Sequence, residues 1–113
     1  MNDMEIVNRS FITIKPTQSF WNWANKFSDD LEFSANDNTE GTVYLVEEDF
    51  FDVEPILKKQ FKKIFKNELS SIIEEEENWP EERTFELFLE WFHVDYGAIV
   101  VDLEKSDLQR EKF

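Results

Sequence analysis

Apolar residues, most of them aromatic, recur twice at positions i, i+3, i+4 and i+7: Phe20, Trp23, Ala24 and Phe27, then Phe85, Phe88, Leu89 and Phe92. At 3.6 residues per turn, each set lines one side of a helix. Leu57, Phe61, Ile64, Phe65 and Leu69 form a third stripe, which Ile72 extends by a turn. Three helices with ring-bearing faces need a common apolar surface to pack against. The chain has 12 Phe and 4 Trp in 113 residues. Each such ring buries about 150–250 Å², so the core is expected to be built of rings.

The surface they pack against is expected to be a sheet. Residues 9–15 alternate with period two, Ile12 and Ile14 on one face and Phe11 and Thr13 on the other, and Pro16 ends the run. Thr17 is placed to cap the first helix, residues 18–27, with Trp21 projecting off its stripe. Residues 28–41 read as a polar connection, pinned to the body by Leu31 and Phe33. Residues 42–47 form a second strand, apolar on both faces (Val43 and Leu45; Tyr44 and Val46), which predicts a central position.

The long helix that follows is expected to take Asp52 as N-cap and Phe51 with Ile56 as a hydrophobic staple. Pro55 falls in its first turn. Its end is placed near Ile73. The acidic run 74–77 opposes the dipole at a helix C-terminus, and Trp79 precedes Pro80. A short strand over residues 70–74 is the alternative. A third helix spans residues 84–92 behind Thr84 as cap, and residues 97–103 form a third strand with Ile99, Val101 and Leu103 on one face. The charged tail, residues 104–113, is expected to fray.

The predicted fold is therefore α+β, one domain over residues 1–113. It is a two-layer β-α-β-α-α-β arrangement with a small, mainly three-stranded sheet and helices on one face. A right-handed crossover would set the first two strands parallel, adjacent or one position apart.

Composition removes several functions. Two Gly, with no G-x-G-x-x-G and no Walker loop, exclude glycine-rich phosphate cradles. Zero Cys excludes disulfides, thiol catalysis and Cys-ligated zinc. No apolar stretch is long enough to span a membrane, and the N-terminal residues carry Asp3 and Glu5 with no basic region, unlike a signal peptide. A net charge of −14 repels phosphates, so no nucleic acid and no membrane partner is expected. The expected location is cytoplasmic.

Three stretches are familiar in combination: Asn8-Arg9-Ser10 through Lys15-Pro16 to Phe20 and Trp23; the strand Val43-Tyr44-Leu45-Val46-Glu47-Glu48; and Trp79-Pro80 followed by Phe85, Phe88, Trp91 and Phe92. Together they resemble a small family of uncharacterised bacterial proteins of about this length. The resemblance covers most of the chain. It implies a bacterial, cytoplasmic protein, and it carries over no catalytic residue and no activity.

Reactive sets are scarce. His93 is the single histidine, with Asp95 or Asp102 as the carboxylate of a triad, but no nucleophile elbow accompanies it. The simpler reading is a histidine at a helix C-terminus. Glu47, Glu48, Asp49 and Asp52 cluster after the second strand, and Asp29, Asp30, Asp37, Asn38 and Glu40 sit in the long connection. Neither group has the ligand spacing of a calcium loop. No catalytic, cofactor or metal residue is therefore assigned.

Two surface features stand out. Lys58, Lys59, Lys62, Lys63 and Lys66 supply five of the 12 basic residues. At 100° per residue they fill a sector of about 140° opposite the long helix's apolar stripe. Trp21, Phe50 and Phe51 lie off or at the margins of the stripes, and Phe11 and Tyr44 lie on strand faces that one helical layer would leave open. Trp79 and Trp91 are expected in the core. These ten residues, five lysines and five aromatics, form the candidate partner surface.

The leading expectation is a non-enzymatic, acidic protein-binding module acting as adaptor, inhibitor or immunity-like protein. A homodimer through the open sheet face is a separate expectation. The alternatives are a small carboxylate-dependent metal-binding protein or enzyme, and a small-ligand binder with an aromatic pocket between sheet and helices.

Overall fold

The computed structural model describes residues 4–28, 33–36 and 40–112. Strands β1 (Glu5–Val7) and β2 (Ser10–Pro16) lead into helix α1 (Gln18–Ala24), which tightens into a 3₁₀ turn at Asn25–Phe27. Strand β3 (Thr42–Val46) is followed by α2 (Glu54–Ser70), a 3₁₀ turn at Glu76–Asn78, α3 (Phe85–Trp91), β4 (Phe92–Gly97) and β5 (Val100–Asp102).

The fold is α+β. A three-stranded antiparallel sheet, ordered β3-β2-β4, carries the helices on one face, and β1 pairs with β5 as a separate two-stranded ribbon. Ile12 and Ile14 of the central strand are 0% exposed. Above them Phe20, Phe65, Phe88 and Phe92 stack edge-on or tilted, with Phe92 5.2 Å from both Phe20 and Phe88 and 5.5 Å from Phe65. The space between sheet and helices is thus taken up by rings. Trp79 and Trp91 join this core, Trp79 fully and Trp91 in part. The Trp79 indole N–H donates to the Ile73 carbonyl at 2.8 Å.

Several expectations are corrected. The strands are antiparallel, not parallel. Seven residues of α1 rise only about 10 Å, less than half the roughly 23 Å length of β2, so α1 does not carry the chain back along the sheet. The connection returns at the end it left, where Thr42 pairs with Ile14. β3 is an edge strand, not a central one; its Tyr44 and Val46 face the helices while Val43 and Leu45 stay exposed.

The third strand is two strands. Residues 92–97, in part assigned to the helix, pair with β2, and only residues 100–102 continue, pairing with β1. Phe92 satisfies both a helical and a strand period, since it is buried either way.

The helix ends also move. Thr17 stands at the α1 N-cap, but its hydroxyl donates to the Glu90 carbonyl at 2.8 Å and makes no cap bond. Val53, not Asp52, occupies the N-cap of α2, while the Asp52 carboxylate accepts from Glu54 N–H at 3.1 Å. Phe51 is 99% exposed and forms no staple. α2 stops at Ser70 because the Ser70 and Ser71 hydroxyls donate back to the carbonyls of Asn67 and Glu68, at 3.0 and 2.6 Å. Residues 70–74 form no strand. Leu31, and the loop carboxylates Asp29, Asp30 and Asp37 with Asn38, lie outside the described residues.

Candidate functional site

The five lysines do share one face of α2. Lys58 and Lys59 each lie 3.5 Å from a carboxylate, Glu54 and Glu47, in exposed pairs. Among the described residues, Lys62, Lys63 and Lys66 have no carboxylate within ion-pair distance. Lys63 and Lys66 border a groove of about 620 Å³ between α2 and β3, together with Gln60 and Asn67.

The floor of that groove is held by a polar cluster. The Tyr44 hydroxyl donates to the Glu68 carboxylate and accepts from Asn67 Nδ2 at 2.8 Å. Glu68 is buried, and burial raises its carboxyl above the usual carboxylate range, against the lowering effect of its bonds to Tyr44 and Thr42. Burial likewise pushes the Tyr44 phenol up, opposed by Asn67 and reinforced by the neighbouring Glu68. Tyr44 therefore lies on the helix-covered face, not on the open one. Glu68 went unnoticed in the sequence, although its spacing carries the signal: it falls four residues after Ile64 and three after Phe65, a carboxylate inside an apolar stripe.

The aromatic members of the expected surface are not gathered together. Phe11 is on the opposite sheet face, against Gly97. Trp21 does not project outward; its ring packs 5.1 Å from Phe20 and 5.2 Å from Phe33, and its buried indole N–H has no partner among the described residues. Phe50 and Phe51 are exposed just ahead of α2. There, Asp49 closes a turn by accepting from the N–H groups of Phe51 and Asp52, at 2.8 and 3.2 Å, which holds its carboxyl below the usual range.

His93 is on strand β4, the residue after the Phe92 C-cap of α3, opposite Lys15 and 3.7 Å from Asp95. No serine adjoins it among the bonds of the described residues. Ser10, the buried serine, is engaged elsewhere: its hydroxyl lies 3.0 Å from the Ala98 carbonyl and 3.2 Å from that of Asp49, and it accepts from Asp49 N–H. Among the described residues no three His, Asp or Glu side chains converge as a metal site, and no helix is long and apolar enough to cross a membrane.

A second surface escaped the sequence reading. In the ribbon, Ile6 lies directly across from Val101, so both point to one side. Met4, Ile99 and Leu103 share their parity along the two strands, and all five are exposed, Ile6 at 63% and Val101 at 45%. Beyond each other, β1 and β5 make no substantial contact with another element. A hollow of about 700 Å³ alongside is lined by Glu5, Asp102, Glu104 and Asp107, with Lys105 among them. The alternation in residues 97–103 signalled half of this face; a three-residue strand at Glu5–Val7 carries too little pattern to signal the other half.

Compared with protein-family models, with curated proteins and with solved structures, the chain matches none.

Proposed function

We propose that this chain is a non-enzymatic protein-binding module, of the adaptor or inhibitor kind, that docks a basic partner on the β1–β5 ribbon. The observation that carries this reading is the row of exposed apolar side chains on one face of a two-stranded sheet. A lone pair of strands is marginal in water, and an apolar face on it is stable when something covers it. Charge selects the cover. Glu5 and Asp102, direct cross-strand partners on the ribbon's opposite face, are a like-charge pair that a basic side chain reaching around the ribbon would relieve. A field of −14 also speeds the approach of a cation-rich surface. The same charge sets a second copy of this chain at a disadvantage on the ribbon; the homodimer through the open sheet face is a separate proposal, which light scattering reads against the 13.6 kDa of one chain. A bacterial cytoplasm is the setting the sequence resemblance suggests.

The test is affinity capture from bacterial lysate with the native chain, the ribbon variant Ile6→Thr/Val101→Thr, and the helix variant Lys58→Gln/Lys59→Gln. The expected result is a basic protein held by the native chain and the helix variant and lost from the ribbon variant. Identical proteins on all three, or a dimer that the ribbon variant breaks, would overturn the reading.

A further inference from the structure

The two outer strands of the main sheet are built differently. β4 carries His93 and Asp95 on the face away from the helices, a polar ring and a carboxylate of the kind that blunt a sheet edge. β3 reads Thr-Val-Tyr-Leu-Val, with no charge and no proline, and one side of it is unpaired among the described residues. Such an edge is a template for another strand. Beside it runs the groove against α2, and the cations on its wall, Lys63 and Lys66, are without carboxylate partners among the described residues. Unpaired cations beside an open edge stand out in a chain of net charge −14.

We propose that this groove takes an extended acidic segment of another protein, added to β3 as a fourth strand of the sheet. The site is separate from the ribbon and does not depend on the reading given for it. Backbone N–H and C=O groups of β3 would pair with the segment, and side-chain alternation sets its pattern. Every second residue faces α2, where Asp or Glu meets Lys63 and Lys66. The intervening residues lie beside Val43 and Leu45 on the far face and are apolar. The two lysines are about 4.5 Å apart along the helix axis, and alternate carboxylates about 6.6 Å apart along a strand, a mismatch that flexible lysine side chains absorb. The Tyr44 bonds to Glu68 and Asn67 fix β3 to α2, so the groove is formed in advance. A second copy fits poorly, because pairing β3 with β3 about a two-fold axis would bring both sets of lysines to one side of the joined sheet.

The probe is a labelled peptide alternating Glu and Val, compared with a Lys–Val peptide and with a Glu–Val peptide interrupted by proline. Binding is read by fluorescence anisotropy, and the β3 amides by hydrogen exchange. The Glu–Val peptide is expected to bind and to slow exchange at alternate residues of 42–46. Lys63→Gln/Lys66→Gln is expected to weaken it about threefold to thirtyfold, and the equally charged Lys58→Gln/Lys59→Gln less than twofold. Ile6→Thr/Val101→Thr should leave it unchanged. Tighter binding of the Lys–Val peptide, equal binding of the proline peptide, equal loss in both lysine variants, or a peptide-free dimer that Val43→Lys dissociates would each overturn the proposal.

Discussion

Phe11 lies directly across from Gly97 in the β2–β4 pair, and its ring covers the glycine so closely that a Cβ there would stand 2.5 Å from the ring's Cε1. No real contact is that short, so a Cβ at Gly97 would force the Phe11 ring to move, while the glycine's backbone angles are ordinary. Gly97→Ala is expected to cost about 1–3 kcal/mol, as overpacked sites do. Phe11→Ala in the same chain should recover much of that loss. Urea denaturation of the single and double variants measures the coupling.

Glu68 makes stability depend on pH in an unusual direction for a carboxylate. Its folded value is raised above the ordinary 4.5, so from that point upward the folded state holds the proton longer than the unfolded one. Stability contributed by this group is full below pH 4.5 and is lost as pH rises through the folded value. Glu68→Gln should flatten that slope and leave the protein no less stable at pH 7. Tyr44 adds a second decline starting above pH 10.0, since its phenol is also raised. Asp49 acts oppositely: its contribution is present above pH 3.8 and is lost as pH falls through its lowered value. Denaturation midpoints across pH check all three.

Ser10 ties three segments through one hydroxyl, the start of β2, Asp49 before α2, and Ala98 between β4 and β5. Ser10→Ala leaves the part-buried Asp49 N–H without its acceptor and one carbonyl, Ala98 or Asp49, without its donor, and about 1–3 kcal/mol of stability should go with them. Because Ala98 is the joint from which the ribbon departs, hydrogen exchange at residues 100–102 should accelerate more than at β3.

Thr84 caps α3, accepting from Leu87 N–H at 3.1 Å. Thr84→Ala is expected to lower stability by about 1 kcal/mol, and Thr84→Ser by only a few tenths. Thermal unfolding separates the two.

What the sequence revealed was local. Ile12 and Ile14, Phe20 and Trp23, and Phe88 with Phe92 announced their burial by spacing alone, and the lysine arc of α2 followed from 100° steps. Leu89 and Phe27, on the same spacings, are exposed, because a stripe is wider than the contact it makes. Strand partners were not legible. Nothing in Thr-Val-Tyr-Leu-Val says that one side of β3 has no strand partner among the described residues, so the groove beside Lys63 and Lys66 was invisible although both lysines were singled out. Glu5–Val7 is too short to show a period, and its strand character depends on Val100–Asp102, far along the chain.

That last pairing has a consequence for how the molecule comes into being. Glu5 meets Asp102, so the ribbon closes a long loop that holds every residue between them. A nascent chain still short of Asp102 at the ribosome has its aromatic helices but not yet this apolar face. The surface we assign to partner recognition therefore exists only after residues 100–102 have joined the chain: copies that stop short of them cannot compete for the target.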